Sequence, residues 1–236
     1  MTKHDEIANT LTDEILARRF LPGERLPSER DLAVRFEANR GAVREAMKRV
    51  AQMGLATIQP GGARVAPLEN ASLDVIGLML SRNEEPDLHL VAQILDVMNS
   101  LVQVAISHVI AEASNEDINN IRQRLAPLRR GTLSFDEMEV ARMEFMRSIM
   151  LTSNHLVCQI IARSLFEQLI SQVEQLRQRA PAFTDAHRDL LNDLDAALAR
   201  RDRDAACHAL RSLEALNRAD MIAPRESAQV VEVSMR

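Results

Sequence analysis

This sequence of 236 residues has no tryptophan and no tyrosine, and six phenylalanines supply all of its aromatic character. Aromatic-lined cofactor loops therefore have little to be built from. Glycine and proline number only seven and eight, too few for a turn-rich β-sandwich of this length, so a mainly helical chain is expected. The two cysteines, Cys158 and Cys207, lie far apart in helical patterns and read as free thiols of a reducing cytoplasm. The opening MTKHDEIANT lacks the apolar segment of a secretory signal. No uninterrupted apolar run reaches the ~18 residues of a membrane helix, so no membrane partner is expected. Also missing are GxSxG, a P-loop, HExxH and a paired Cys-x-x-Cys, so no enzyme, catalytic residue or cofactor is expected.

What is present is globular. A content of 46% hydrophobic and 27% charged residues excludes wholesale disorder and leaves room for two modest domains. The formal charge of −5, taken as one number, speaks against nucleic acid. Its distribution reverses that reading. Residues 1–66 carry eleven Lys/Arg against nine Asp/Glu, a charge of +2, and the remainder carries eighteen against twenty-five, a charge of −7. Five of the seven glycines also precede residue 63. Residues 67–72, PLENAS, read as a linker between an N-terminal domain (1–66) and a helical domain (73–222), with 223–236 a frayed tail.

In the N-terminal domain, Ile7, Leu11 and Ile15 mark one face of a first helix expected to end near Arg19. Pro22-Gly23 makes a turn, and Leu26 is a buried strap. Ser28 with Asp31 three residues later is a capping-box variant that opens a second helix, with Leu32, Ala33 and Phe36 inward. Asn39 is a candidate N-cap for a third helix, whose Val43, Ala46, Met47 and Val50 share a face until Gly54 stops it. LATIQ, a Pro60-Gly61-Gly62 turn and ARVA then make a two-stranded hairpin. Three helices and a small wing define a winged helix-turn-helix. Beyond the linker, about six or seven helices with wide apolar stripes imply an antiparallel bundle. Ser72 is a candidate cap for the first of these. Expected spans are a long helix after Pro86, then 115–130, 135–152, 155–180, 185–200 and 202–222, with Ser114/Asp117 and Ser134/Glu137 marking two starts.

Between Ser28 and Arg49 lie six basic residues, of which Arg40, Arg44 and Lys48 recur every four positions as a ridge beside the apolar face. Arg40 and Gly41 occupy the first turn of the third helix, where a recognition helix meets base edges, and small residues there permit close approach. Guanidinium groups fork onto guanine or phosphate. Arg30 is placed to grip the DNA backbone, and Gly61 and Gly62 let the wing tip take positive φ and reach a minor groove. The plain alternative is a solvated face paired with Glu29, Glu37 and Glu45. Arg35 and Arg49 fit that alternative as intramolecular pairs.

The run ILARRFLPGERLPSERDLAVRFEANRGAVREAMKRVAQMGLATIQPGGARVAP resembles the DNA-binding domain of GntR-family bacterial transcription regulators, through PG-x-x-LPSER-x-LA, R-x-x-VREA and the glycine wing. The resemblance implies operator contacts at Arg30, Arg40, Arg44 and Gly61. It also implies a homodimer on a palindromic double-stranded operator, in a cytoplasmic, nucleoid-associated protein.

The helical remainder resembles the C-terminal domain of the FadR subfamily, with MEFMRSIMLTSNHLV standing where many members carry an Asp and a His of a metal site. Here Arg142 and Met146 take those two positions, and Leu191 and Leu213 take those of the further histidines, with His187 one turn before Leu191. One histidine does not make a metal site, so no metal is expected. Met143, Met146 and Met150 share a face, read either as core packing or, with Arg142, His187, Leu191 and Leu213, as an effector pocket. The resemblance implies a small-molecule effector, an acyl-CoA or another largely apolar or organic-acid metabolite. The alternatives are a metal-dependent organic-acid-responsive regulator of the same family and an effector-independent DNA-binding protein.

Overall fold

A computed structural model describes residues 2–82, 87–170 and 183–222. It is mainly helical, as expected, with ten α-helices and one two-stranded sheet among the described residues. The order is α1 (Lys3–Leu16), α2 (Glu29–Arg35), α3 (Arg40–Gln52), β1 (Ala56–Gln59), β2 (Gly62–Val65), a 3-10 turn (Leu68–Asn70) and α4 (Asp74–Leu80). Then come α5 (Leu88–Glu112), α6 (Asn115–Arg130), α7 (Phe135–Thr152), α8 (Leu156–Ile170), α9 (Asp185–Arg200) and α10 (Arg203–Ile222). The chain divides into two compact units: Met1–Pro86 with Phe166–Gln172, and Asp87–Leu165 with Val173–Arg236.

In the first unit the apolar faces of α1, α2 and α3 meet over Ile7, Leu11, Leu32, Val43 and Val50, all fully buried. Each helix begins on a local signal. Thr2, Ser28 and Asn39 cap α1, α2 and α3, and Thr2 and Ser28 form reciprocal capping boxes with Asp5 and Asp31. Helix α1 stops at Leu16, short of the expected Arg19. Arg18 takes φ 57°, and its amide and that of Arg19 return to Ile15 O and Glu14 O, a Schellman-type end built without glycine. Gly54 closes α3 in the same way at φ 73°, with its amide on Ala51 O and that of Leu55 on Val50 O. A Cβ at Gly54 would lie 2.0 Å from the Asn70 carbonyl oxygen.

The wing pairs Ala56 with Val65 through Gln59 with Gly62, so the turn residues are Pro60 and Gly61, and Gly62 already belongs to β2. Proline presets the first turn position, and Gly61 supplies the positive φ, 95°, that the second requires. The strap behaves as a third strand: Gly23 N donates to Val65 O, Val65 N to Glu24 O and Leu26 N to Ala63 O. Helix α4 packs with this unit, its Val75 buried in the core. Ser72 does not cap α4. Leu73 is the N-cap residue, without a side-chain hydrogen bond, and Ser72 Oγ is buried with no partner among the described residues.

The second unit is built on α5, α6, α7, α9, α10 and the first part of α8. Ser114/Asp117 and Ser134/Glu137 form complete capping boxes at α6 and α7, as their spacing predicts. Helix α5 averages a hydropathy of 1.6 over an 18-residue window, enough by length and composition to cross a membrane. A third of that window is buried: Val102, Ala105, Ile106 and Val109 are fully covered by the other helices, whereas Val97 and Val104 on the same helix are exposed. Residues 171–182, the end of the helix expected over 155–180, and the tail 223–236 lie outside the described residues.

One charge cluster ties this bundle together. Asp195 of α9 accepts from Arg122 Nε at 2.8 Å and Nη2 at 3.1 Å, and Arg129 Nη1 lies 2.8 Å away. Hydrogen bonds from Arg122 hold the Asp195 carboxyl below its ordinary range, against the opposing effect of burial. The folded state therefore binds the proton less readily than the unfolded chain. The stabilisation is present in full above the ordinary aspartate range and is lost as pH falls through the depressed folded value. Asp195→Asn should cost about 3 kcal/mol at neutral pH in urea unfolding, and the difference should begin to narrow only below about pH 4 and close once the pH is below the depressed folded value. In the first unit, Gly54→Ala should cost more than about 2 kcal/mol, since both the φ and the Asn70 carbonyl oppose a side chain. A midpoint of denaturation unchanged by Gly54→Ala would refute that.

Candidate nucleic-acid interface

Helix α3 is amphipathic. Val43, Ala46, Met47 and Val50 face the core, and Arg40, Arg44 and Lys48 stand exposed one turn apart. The helix begins where it does because Asn39 Oδ1 accepts from Ala42 N at 2.8 Å. A Cβ at position 41 would approach that same oxygen to 3.1 Å, so Gly41 leaves the cap undisturbed as well as keeping the helix end small. Arg30, exposed, is the second residue of α2, and the wing tip at Gly61 is open, with nothing near a Cβ built on it.

The arginines differ in what already holds them. Glu14 of α1, with only 8% of its side chain exposed, receives Arg35 Nη1 at 2.9 Å and Nη2 at 2.6 Å, and Arg19 Nη1 at 3.2 Å. The Arg35 hydrogen bonds hold its carboxyl below the usual range. Asp5 likewise takes Arg49. Arg35 and Arg49 are thus internal fasteners of the three-helix unit. Arg44 is both exposed and paired: its Nε donates to Glu29 Oε1 at 3.1 Å and its Nη2 to Glu29 Oε2 at 2.9 Å. That fork holds the Glu29 carboxyl low and raises the affinity of Arg44 for its proton. Lys48 pairs with Glu45 on its own helix at 2.8 Å. No carboxylate among the described residues lies within ion-pair distance of Arg30 or Arg40.

Two cations at the wing escape a sequence reading. Arg25 of the strap donates from Nη2 to Gly61 O at the wing tip, and Arg64 Nη1 donates to Gly23 O at 2.8 Å. A Cβ on Gly62 would come within 3.0 Å of Arg25 Nε, so the second wing glycine accommodates this arginine. The only sequence signal is the strap, and its pairing with β2 is a long-range event that periodicity does not encode.

In the second unit, Met150 and Leu191 are buried, Met146 and Leu213 are partly buried, and all four pack in one cluster with Phe145. His187 is buried with both ring nitrogens engaged, Nδ1 by Thr184 and Nε2 by Asn217 Oδ1 at 3.1 Å. Met143 is half-buried. Arg142 points to solvent and pairs with Glu139, apart from that cluster. A shallow groove of about 420 Å³ runs between α6 and α7, bordered by Asn120, Arg124 and Glu144, and none of the seven positions lines it. Among the described residues no three His, Cys, Asp or Glu side chains converge as metal ligands.

A three-helix unit with a capped, basic third helix and a two-stranded wing is a winged helix-turn-helix. Residues 3–65 match the family described as bacterial regulatory proteins, gntR family, and this unit is a helix-turn-helix domain of that type. The HTH-type transcriptional regulator Mce2R of Mycobacterium tuberculosis is 36% identical over 94 residues, 39% of this chain and 39% of that protein. The galactonate operon transcriptional repressor of Escherichia coli is 30% identical over 130 residues, 53% of this chain and 56% of that protein. The similarity thus spans less than two thirds of either relative. Among solved structures, Lar, described as controlling the expression of the Listeria monocytogenes agr system, covers 94% of this chain and 97% of its own. Its TM-score of 0.52 at 16% identity is a likeness of fold.

Proposed function

We propose that this chain is a ligand-responsive transcription regulator of the GntR family, FadR subfamily, that binds a palindromic double-stranded operator as a homodimer. The observation that carries this reading is the exposed Arg40–Arg44–Lys48 ridge on a capped helix inside a domain of the matched family. Arg40 and Arg44 serve base edges in the major groove. Arg30 and Lys48 serve phosphates, and Gly41 lets the helix end close in. The Gly61-Gly62 wing enters the neighbouring minor groove. One recognition helix per half-site requires a second copy of the chain.

The helical unit is the sensor in this reading, and its effector is an acyl-CoA or another largely apolar or organic-acid metabolite. Met143, Met146, Met150, Leu191 and Leu213 supply apolar lining, and methionine repacks readily around a guest. Arg142, paired at the surface with Glu139, and His187, with both ring nitrogens engaged, reach an acid group of the guest only if the bundle rearranges on binding. An effector that binds one arrangement of the bundle more tightly shifts the equilibrium only by that difference in affinity.

The test is DNA binding by the full chain. Operators selected from a randomised duplex pool should contain inverted repeats, and Arg40→Ala and Arg44→Ala should each weaken binding to them by about 1–3 kcal/mol in fluorescence anisotropy. Unchanged affinity in both variants, at matched salt, would sink the assignment of α3 as the reading helix.

A further inference from the structure

Arginine has five N–H donors in a rigid plane. In Arg44 two of them, on Nε and Nη2, face the Glu29 carboxylate in a side-on fork with distances of 3.1 and 2.9 Å. The end-on edge, one N–H from each Nη, remains and has the spacing of guanine O6 and N7. We propose that Glu29 is the positioning residue that makes Arg44 a guanine reader: it holds the side-on edge and leaves only the end-on edge to the DNA. The inference rests on the reading that α3 lies in a major groove.

Three features of the site support it. Glu29 is the first residue of α2, directly after the Ser28 cap, where the helix dipole favours a carboxylate. It therefore sits ionised beside Arg44 at little cost. The pair is partly open, with side-chain exposures of 61% for Arg44 and 38% for Glu29, so a duplex seated on it would remove water and strengthen the fork. The contrast with Lys48 is instructive. Lys48 meets Glu45 on its own helix through an ammonium that turns freely, and no edge is selected.

The charge consequence is as important as the geometric one. A bare arginine on a recognition helix grips any phosphate, which raises affinity for every sequence. The Arg44–Glu29 unit is neutral, and the carboxylate repels the phosphate chain, so little is gained on non-specific DNA. A guanine edge, in contrast, offers two neutral acceptors that the remaining N–H groups reach without approaching the carboxylate. Glu29 thus exchanges general affinity for base selection.

The test uses the full chain and an operator selected by it from a randomised duplex pool. At the guanine whose replacement no longer matters to Arg44→Ala, the wild type should lose about tenfold in affinity on replacement. Glu29→Ala should lose only two- to threefold there. On an unrelated duplex, Glu29→Ala should bind more tightly and its log–log salt slope should steepen by about one, as for one added phosphate contact. Glu29→Gln, nearly the same shape without the charge, should show the same steepening, which separates the effect from any loss of fold. Glu29→Ala in an Arg44→Ala background should leave the base preference at that guanine unchanged and should steepen the salt slope by clearly less than one, because only the carboxylate's own repulsion is then removed. A Glu29→Ala protein that keeps the full guanine penalty overturns the inference, as does an effect of Glu29→Ala on base preference that persists without Arg44. A wild type that selects no sequence, or an Arg44→Ala that keeps every base preference, overturns the reading of α3 itself.

Discussion

Four guanidinium groups of the first unit, those of Arg19, Arg35, Arg44 and Arg49, stand between a carboxylate of their own chain and whatever lies outside, and the character of the exposed ridge depends on that competition. Glu14 takes Arg35 and Arg19, and Asp5 takes Arg49. These pairs bind α1 to α2 and α3, and they withdraw three of the unit's cations from the surface ridge. Glu29 takes only one edge of Arg44. Arg30 and Arg40 have no carboxylate within ion-pair distance among the described residues. The same residue type therefore acts as internal strut, oriented donor and open cation within a short stretch of chain. The nearest acid decides which.

On the proposed reading, a net charge of only +2 on residues 1–66 suffices for an anionic partner because the cations without a carboxylate are the ones that face it. A unit that lacked those acids would be more basic, less stable against self-repulsion, and tighter on DNA of any sequence. Pairing four of the nine arginines of residues 1–66 with carboxylates leaves Arg30 and Arg40, at the starts of α2 and α3, among the cations without one. The backbone N–H groups there add their own partial positive charge.

Features set by neighbouring residues are legible in the sequence. Capping boxes at Ser28, Ser114 and Ser134, the end of α3 at Gly54 and the hairpin around Pro60 all follow from residues within four positions of one another. What escapes such a reading is long-range or breaks a residue preference. Arg18 ends α1 in a left-handed conformation that glycine usually supplies, because the following amide can return to Glu14. Ser72 has the identity of a cap, but its amide goes to Met53 O and its backbone carbonyl to Val75 N, so α4 starts one residue later. The strap joins β2 across some forty residues of sequence. That is why Arg25 and Arg64 are absent from the expected interface.

The second unit obeys the opposite rule, and the comparison sharpens both. There the buried acid, Asp195, gathers two arginines and exposes none of its own charge to a partner; Arg122 and Arg129 are two-thirds covered. The cluster fastens α6 to α9 while Arg201 ties α9's end to the carbonyls of Ile110 and Ala113 at the end of α5. The ties on α6, α9 and α5 are short and directional, whereas Met146 and Met150 of α7 pack in the apolar cluster, and α7's own ion pair to α6, Arg124 with Glu144, is longer at 3.7 Å. Apolar contacts lack the directional demand of a salt bridge, so side chains there can exchange neighbours at small cost. If the bundle is the sensor proposed above, α7, held mainly by apolar contacts, is the helix whose packing a guest would shift at least cost.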